Sequence, residues 1–359
     1  MKSHRVFKNI LVTGGCGFIG SNLIRTLFNK IGFEGNIINV DNLTYAGNQY
    51  SLVDIEKKYP TRYIFERTDI CDKKSISDIL SKYNIDAICH LAAESHVDRS
   101  IDGPGTFINT NIIGTFTLLE CAKEFWEGNY KDKLFHHVST DEVYGSLGQE
   151  GYFHETTAYD PRSPYSASKA SSDHLVMSYF HTYGFPVTMT NCSNNYGPFQ
   201  FPEKLIPLMI ENMIEEKPLP IYGDGKNIRD WLYVEDHNTA VWEVMKSGTL
   251  GETYNIGGEN EWQNIELVNR LCELVSEHNK KNKDYYKKLI TYVNDRPGHD
   301  QRYAIDCSKL KKELGWTQSL SFDDGLQKTV AWYFNNRFWV ENIKSGDYLS
   351  WIDKNYNKR

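Results

Sequence analysis

The chain contains no apolar run long enough to span a membrane. Its first one, Ile10-Leu11-Val12, breaks at once into glycines, whereas a spanning helix takes about 20 apolar residues in succession. The same brevity argues against a secretory leader, although the first residues are basic. An excess of positive charge is missing too. Lys and Arg number 40 against 47 Asp and Glu, a net charge of −7. That balance offers nucleic acid or an anionic membrane no footprint, and an anionic ligand would need a local basic pocket. The seven cysteines are scattered, odd in number and without a Cys-x-x-Cys pair. A reducing, cytoplasmic setting is therefore expected rather than a disulfide scaffold. Repeats and low-complexity segments are absent as well. What remains is 40% hydrophobic and 24% charged, the balance of a globular protein. At 359 residues it is long for one core, so two lobes are expected.

Short apolar runs alternate with helical patterns through the first half. Asn9 to Thr13, Asn36 to Val40, Tyr63 to Phe65, Ala87 to Leu91, Leu134 to Val138 and Val187 to Thr190 read as buried strands. Between them Ile19, Leu23, Ile24 and Leu27 share a helix face, and Ser75 to Tyr83 and Thr110 to Trp126 continue as helices. Such alternation predicts a doubly wound parallel sheet of Rossmann type. Beyond Gly197 the pattern loosens, with Pro198, Pro202, Pro207, Pro218 and Pro220 close together. We therefore expect a dinucleotide-binding domain over 1–196, with a returning segment near 228–258 that includes a strand at Tyr254 to Gly257. Residues 197–359 are expected to form mainly a smaller substrate-binding lobe. The lysine-rich stretch Lys280 to Lys288 reads as a solvated helix face.

Gly14, Gly17 and Gly20 follow the first strand and open the first helix. Spaced in this way, glycines allow a tight turn, close backbone approach to a pyrophosphate and a helix N-terminus aimed at it. Asp41 ends the next strand. There a carboxylate accepts hydrogen bonds from ribose hydroxyls and repels a 2′-phosphate, which favours NAD over NADP. Asp69-Ile70 and the small residues Leu91-Ala92-Ala93 end later strands and are candidate cofactor contacts. An ordinary strand end or core packing would explain them equally well.

Tyr165 and Lys169 lie four apart, hence on one helix face. The lysine charge can lower the phenol pKa and make it a usable base. Thr140 ends a predicted strand, where open α/β sheets bind ligands. Beside it, Asp141 and Glu142 add an acid/base pair that a plain alcohol dehydrogenase does not need. Their bland reading is a polar turn with Asp as a helix cap. His136 and His137 point to opposite faces of a strand, one expected packed and one exposed. No third ligand has suitable spacing, so no metal site is expected.

At these residues the chain resembles a known family. The runs GGCGFIG (14–20), DNLTYAGN (41–48), LAAESHVDRS (91–100), STDEVYG (139–145) and YSASK (165–169) look like the extended short-chain dehydrogenase/reductases. Among these they are most similar to the branch that dehydrates dTDP-glucose. NCSNNYGP (191–198), FPEKL (201–205), RDW (229–231) and DRPGHD (295–300) continue the likeness, which covers about 8–335. Cys16, where the family often has alanine, and the tail after Asn336 depart from it. Related epimerases carry small neutral residues in place of Asp141 and Glu142, and other dehydratases and decarboxylases usually keep only the glutamate.

The resemblance implies a redox-neutral cycle on a nucleotide sugar. Tyr165 with Lys169 would take the 4-hydroxyl proton, Thr140 would align that oxygen, and the C4 hydride would go to NAD. Glu142 would then remove the C5 proton while Asp141 protonates the departing C6 hydroxyl. The product would be a 4-keto-6-deoxy sugar for deoxysugar synthesis. The same resemblance assigns Phe18, Ile19, Asn42, Leu43, Thr44, Ser95, Thr110 and Asn195 to the cofactor. To the substrate it assigns Ser95, Asn194, Lys204, Leu205, Pro220, Ile221, Tyr222, Arg229, Asn264, Arg296 and His299. The two arginines fit, because guanidinium meets phosphate bidentately. A homodimer paired through Ile112 to Phe125 and the helix after Tyr165 is also implied. Three alternatives stand beside this reading: an NAD-dependent nucleotide-sugar 4-epimerase, a dehydratase specific for UDP-glucose, and a non-catalytic NAD-sensing regulator.

Overall fold

The computed structural model describes residues 4–295 and 298–344. Among the described residues twelve strands run in chain order: β1 (Asn9–Thr13), β2 (Asn36–Asp41), β3 (Tyr63–Arg67), β4 (Ala87–His90), β5 (Leu134–Thr140), β6 (Val187–Cys192), β7 (Asn194–Tyr196), β8 (Leu219–Tyr222), β9 (Ile228–Tyr233), β10 (Thr253–Ile256), β11 (Glu261–Gln263) and β12 (Ile290–Val293). Seven of them form one parallel sheet in the order β10-β6-β5-β4-β1-β2-β3. This is the doubly wound Rossmann-type sheet that the alternation predicts. The chain leaves β1 towards β2 and β3, then crosses back to β4 on the other side of β1. That reversal opens a crevice at the carboxyl ends of β1 and β4, where ligands bind in such sheets.

Alternation along each strand builds two cores. In β1, Ile10 and Val12 join one cluster with Leu23, Ile24, Val241, Trp242 and Tyr254. Leu11, between them, joins Ile38, Ile88, Leu118, Phe135 and Val187 on the opposite face. The Val234–Ser247 helix and β10 thus bring residues from late in the sequence into the first-half core. A third core, with Tyr196, Leu208, Leu271, Phe322 and Tyr333, unites the Leu205–Ile214, Asn264–His278 and Phe322–Asn335 helices. Beside it lie the three-stranded β11-β9-β7 sheet and the β12-β8 pair.

Three local expectations need correction. The segment expected as one helix from Thr110 is wound as a π-helix over Ile108–Gly114 and only then as an α-helix over Thr115–Trp126. Gly114 packs so closely on Ile70 that an added Cβ would lie 2.4 Å from its Cδ1. Lys280 to Lys288 is not a helix face: the preceding helix ends at His278, and turns lead to a short 3₁₀ turn at Lys287–Leu289. His136 and His137 are both fully buried rather than one exposed, because β5 is a central strand covered on both faces. Their partners are hydroxyls and a carboxylate: Thr188 at 2.9 Å for His136 and Asp173 at 3.0 Å for His137. Among the described residues no helix is long and apolar enough to cross a membrane, and no three His, Cys, Asp or Glu are grouped to hold a metal.

Candidate active site

A single cleft runs from the glycine loop to the end of β5. At its floor the Gly14 backbone is left-handed (φ +69°), and an added Cβ would lie 2.8 Å from the Ala92 backbone. A Cβ on Gly20 would sit 2.2 Å from the Gly14 carbonyl oxygen. The close packing of turn, helix and the Leu91-Ala92-Ala93 strand end therefore depends on glycine. The Phe18–Thr26 helix begins there with its N-terminus towards the cleft. Asp41, buried at the end of β2, accepts the N–H of Cys16 at 2.9 Å and that of Leu43 at 2.8 Å. Burial raises its pKa, and these two backbone donors oppose the rise. Asn42 reaches Asp69, donating to Oδ2 at 3.1 Å, and both line the cleft with Thr44, Ile70 and Thr110.

At the other end, β5 delivers Thr140, and a 3₁₀ turn follows over Asp141–Tyr144. Thr140 caps that turn by accepting the Glu142 N–H at 3.3 Å. Gly145 closes it at φ +89°, where an added Cβ would lie 2.6 Å from the Asp160 carbonyl. Tyr165 and Lys169 come from the Pro164–Tyr183 helix, fixed by a capping box between Ser163 and Ser166. The Lys169 ammonium donates to the Val138 carbonyl of β5 at 2.9 Å. Asn111 locks the opposite wall: its carboxamide pairs with both backbone groups of Glu94 (2.8 and 3.0 Å) and donates to Ser168 Oγ at 2.8 Å.

The electrostatics divide these groups. Burial first, then the neighbouring Glu142 and Asp230, push Asp141 well above the carboxylate range. It is the group set to carry a proton near neutrality. Burial also raises the Tyr165 phenol, a rise that the neighbouring Thr140 hydroxyl opposes, and lowers Lys169, whose charge Asp173 supports. In the protein alone burial, and then the charge of Glu142, hold the phenol well above its ordinary value, so the expected lowering by Lys169 is not seen. Asp173, one turn beyond Lys169, accepts from Ser139 at 2.7 Å and Tyr159 at 3.0 Å, and burial lifts it to about 6.

Of the residues expected at the site, those of the glycine loop, Ser95, Asn194, Asn195, Lys204 and the five acid/base residues all line this cleft. Leu43 stands just behind it, in the left-handed region (φ +55°). Leu205, Pro220, Ile221, Tyr222, Arg229, Asn264 and His299 do not line it. Ile221 lies in the third core. Tyr222 donates to Asp98 at 3.0 Å, and His299 Nδ1 is 2.6 Å from Asp295. Arg229 is buried, donating to the carbonyls of Ile228 at 2.7 Å and Asp300 at 2.9 Å. Arg296 falls outside the described residues. The cleft also holds residues the sequence reading passed over, chiefly Tyr45, Glu94 and Glu203. Arg99 joins two of them, with its guanidinium 3.9 Å from the Tyr45 ring centre and 3.1 Å from Glu203. Tyr45, Glu94 and Glu203 each sit inside one of the runs that carry the family likeness, which was the available signal.

The cradle suits a dinucleotide: glycines admit no side chain, an acid ends β2, and the buried Asn195 Oδ1 has no protein partner. Fold and site together define an extended short-chain dehydrogenase/reductase with an added acid/base pair. A family model, GDP-mannose 4,6 dehydratase, matches residues 11–329, and the chain belongs to that family. It is 55% identical to dTDP-glucose 4,6-dehydratase 1 of Escherichia coli, over 98% of this chain and 99% of that one. Among solved structures, the dTDP-glucose 4,6-dehydratase of Bacillus anthracis, in complex with NAD, is 45% identical with a TM-score of 0.83, covering 94% of this chain and 100% of that one. That of Streptomyces venezuelae, also with NAD bound, is 43% identical with a TM-score of 0.85 and the same coverage.

Proposed function

We propose that the protein is a dTDP-glucose 4,6-dehydratase, an NAD-dependent hydro-lyase that yields dTDP-4-keto-6-deoxy-glucose. The observation that carries this is the meeting of Thr140, Asp141, Glu142, Tyr165 and Lys169 in one cleft with the glycine cradle. The likeness to full-length dehydratases supports it, and an epimerase would have no use for a buried acid beside Glu142. The Gly14–Gly20 turn, Asp41, Asn42, Thr44 and Asn195 would hold NAD. When bound, that cofactor supplies a reversible acceptor for the hydrogen at C4, which is finally delivered to C6.

The protein's own groups do the rest. Tyr165 takes the 4-hydroxyl proton, with Lys169 supporting the phenolate and Thr140 holding the oxygen. The resulting C4 ketone acidifies C5–H, which Glu142 removes as general base. Asp141, kept protonated by burial and by its charged neighbours, gives its proton to the leaving C6 hydroxyl. Glu142 then returns a proton to C5. Lys204 and Asn194 stand at the rim where the sugar diphosphate would lie, and Tyr222, Arg229 and His299 are assigned to the nucleotide end.

On this reading residues 1–196, with the returning 228–258 segment, form the cofactor domain, and the remainder mainly the nucleotide-sugar lobe. A homodimer is part of the proposal. Ile108, Ile113 and Phe116 are 52, 45 and 44% exposed on one helical stretch, and Tyr183 is 49% exposed at the end of another. Such an apolar surface suits a two-fold helix pairing, and a monomer by light scattering at micromolar concentration would exclude it. Scattered free cysteines suit a cytoplasmic setting. The test of function is incubation with dTDP-glucose and UDP-glucose, the C6 group of the product being read by NMR. A C6 methyl from dTDP-glucose is expected, and an intact hydroxymethyl with inverted C4 would mean an epimerase.

A further inference from the structure

We infer that Asp173 is a positioning residue, whose carboxyl group clasps the helix bearing Tyr165 and Lys169 to the strand and loop that frame Thr140, Asp141 and Glu142. This rests on the dehydratase reading above. The reacting groups come in two halves. Thr140, Asp141 and Glu142 stand at the end of β5, whereas Tyr165 and Lys169 stand on the Pro164–Tyr183 helix. Oxidation at C4 needs one group from each half on the same oxygen, Thr140 to hold it and Tyr165 to take its proton. The halves must therefore keep their separation to within about 0.5 Å. No step of the reaction uses Asp173 itself.

Tyr165, Lys169 and Asp173 follow one another at intervals of four and share a helix face. Lys169 donates to the Val138 carbonyl at 2.9 Å. One turn further on, Asp173 Oδ2 accepts the Ser139 hydroxyl at 2.7 Å, and Oδ1 lies 3.0 Å from His137 Nε2. Three consecutive residues of β5, His137, Val138 and Ser139, are thus engaged from the helix, and Thr140 is the next. Tyr159 closes the other side. Its phenol donates to the same Oδ2 at 3.0 Å and accepts from Asn191 of β6 at 3.3 Å. Beside it, the Asp160 N–H donates at 3.0 Å to the Val143 carbonyl, inside the catalytic turn. Asp173 therefore meets that turn from both directions, through the strand that enters it and the loop that leaves it. The residue is 1% exposed. For the fold alone a buried ionisable group is a poor choice, because well-packed apolar side chains serve as well or better. Beside reacting groups its oxygens do what leucine cannot, since each hydrogen bond fixes a direction as well as a distance.

The test is single-turnover consumption of dTDP-glucose by saturating, NAD-loaded enzyme carrying Asp173→Leu or Asp173→Asn, quenched and read by NMR. With enzyme in excess, a partly unfolded population leaves the rate constant unchanged, so a slower rate constant reports misplaced groups. Leucine removes both acceptors at similar size, and the rate constant should fall about 10²-fold, the scale of a small misplacement. Steady-state KM and the calorimetric affinity for NAD should stay as in the wild type, because other elements hold nucleotide and cofactor. In Asp173→Asn the amide oxygen can still take both hydroxyls. Its NH2 can face His137 Nε2, with the ring proton moved to Nδ1, which has no partner. Most of the rate constant should therefore return. A folded Asp173→Leu with the wild-type rate constant would overturn the proposal, and so would an asparagine variant as slow as the leucine one. Should Asp173→Leu not fold, Ser139→Ala combined with Tyr159→Phe removes the two hydroxyls instead. That pair should lower the rate constant about tenfold, the scale of one or two ordinary hydrogen bonds, and an unchanged rate constant overturns the clasp. Oxidation at C4 is common to dehydratases and epimerases. If the wild type turns over a nucleotide glucose without forming a 4-keto-6-deoxy product, the dehydratase reading fails, and the same variants on that sugar still decide the clasp.

Discussion

The two ends of the proposed substrate path are built differently. At the chemistry end, β5 and one capped helix set Thr140, Asp141, Tyr165 and Lys169 in a buried group, in which Thr140 bonds Asp141 and Lys169 bonds the strand beneath. At the nucleotide end the assigned residues come from β8, β9, the start of the Asn264–His278 helix and the 298–302 segment, and they are engaged with their own surroundings. Reacting groups tolerate little misplacement, and strand ends beside a helix supply that rigidity. Recognition of a nucleotide can be spread over several weaker contacts. Substitutions at the first end should therefore stop steps of the reaction, and those at the second should weaken binding.

Tyr165→Phe should break the comparison most visibly. It removes the base for the first step, so every later step disappears with it, a loss of about 10²–10⁴-fold measurable in product formation and in reduced-nicotinamide absorbance. Asp141→Asn should cost nearly as much in product while still allowing oxidation and C5 exchange, because an amide cannot protonate the leaving hydroxyl. A variant that dehydrates at the wild-type rate would deny Asp141 its role. Between the ends, Asp41→Ala should reduce the preference for NAD over NADP by roughly tenfold in calorimetric titrations, and tighter NADP than NAD binding by the unaltered protein would refute the role of Asp41. At the nucleotide end, Tyr222→Phe loses the 3.0 Å bond to Asp98. KM for the nucleotide sugar should rise roughly fivefold, the equivalent of one ordinary hydrogen bond, at constant kcat. A fall in kcat with unchanged KM would erase the contrast between the ends.

A further effect is on stability rather than activity, behind the chemistry end. Asp173 titrates at about 6 in the folded protein, raised by burial from 3.8. The folded state thus holds this proton more tightly than the unfolded chain. Its contribution is fully present below 3.8 and is lost as pH rises through about 6. Asp173→Asn should remove that dependence. The stability advantage of the wild type over the variant should shrink between pH 4 and 7, by up to about 3 kcal/mol. Denaturant midpoints across that range would show it, and a difference independent of pH would contradict it.

Much of this contrast could be read from the chain. Alternating apolar runs specified the parallel sheet, because each strand had to be buried on both faces. The Gly14-Gly17-Gly20 spacing and Asp41 stood in a strand–turn–helix context; the spacing of four put Tyr165 and Lys169 on one helix face, and the cofactor signature made them a catalytic pair. Local rules failed where packing across distant segments decided the outcome. His137 is buried because β5 is covered on both faces, and its buried partner there is Asp173, which no local pattern reports. The π-wound Ile108–Gly114 segment lies against Ile70, on a different crossover of the sheet. Arg229 looks in sequence like a free phosphate ligand, yet its guanidinium reaches carbonyls at Ile228 and Asp300 and stacks on Tyr303 at 4.2 Å. Tyr45, Glu94 and Glu203 meet in the cleft although they belong to three separate motifs.

The central claim is that Glu142 removes the C5 proton after oxidation at C4, and one measurement addresses it directly. Wild type and Glu142→Gln are turned over on dTDP-glucose in deuterated water, with nicotinamide absorbance followed and the sugar read by NMR. The wild type should place deuterium at C5 and carry the C4 hydrogen to C6 without exchange. Glu142→Gln should still show reduced nicotinamide, yet neither exchange C5 nor lose water, with product lower by about 10²–10⁴-fold. Formation of the 4-keto-6-deoxy sugar by Glu142→Gln at the wild-type rate would contradict the account and return Asp141-Glu142 to a polar turn at the end of a strand.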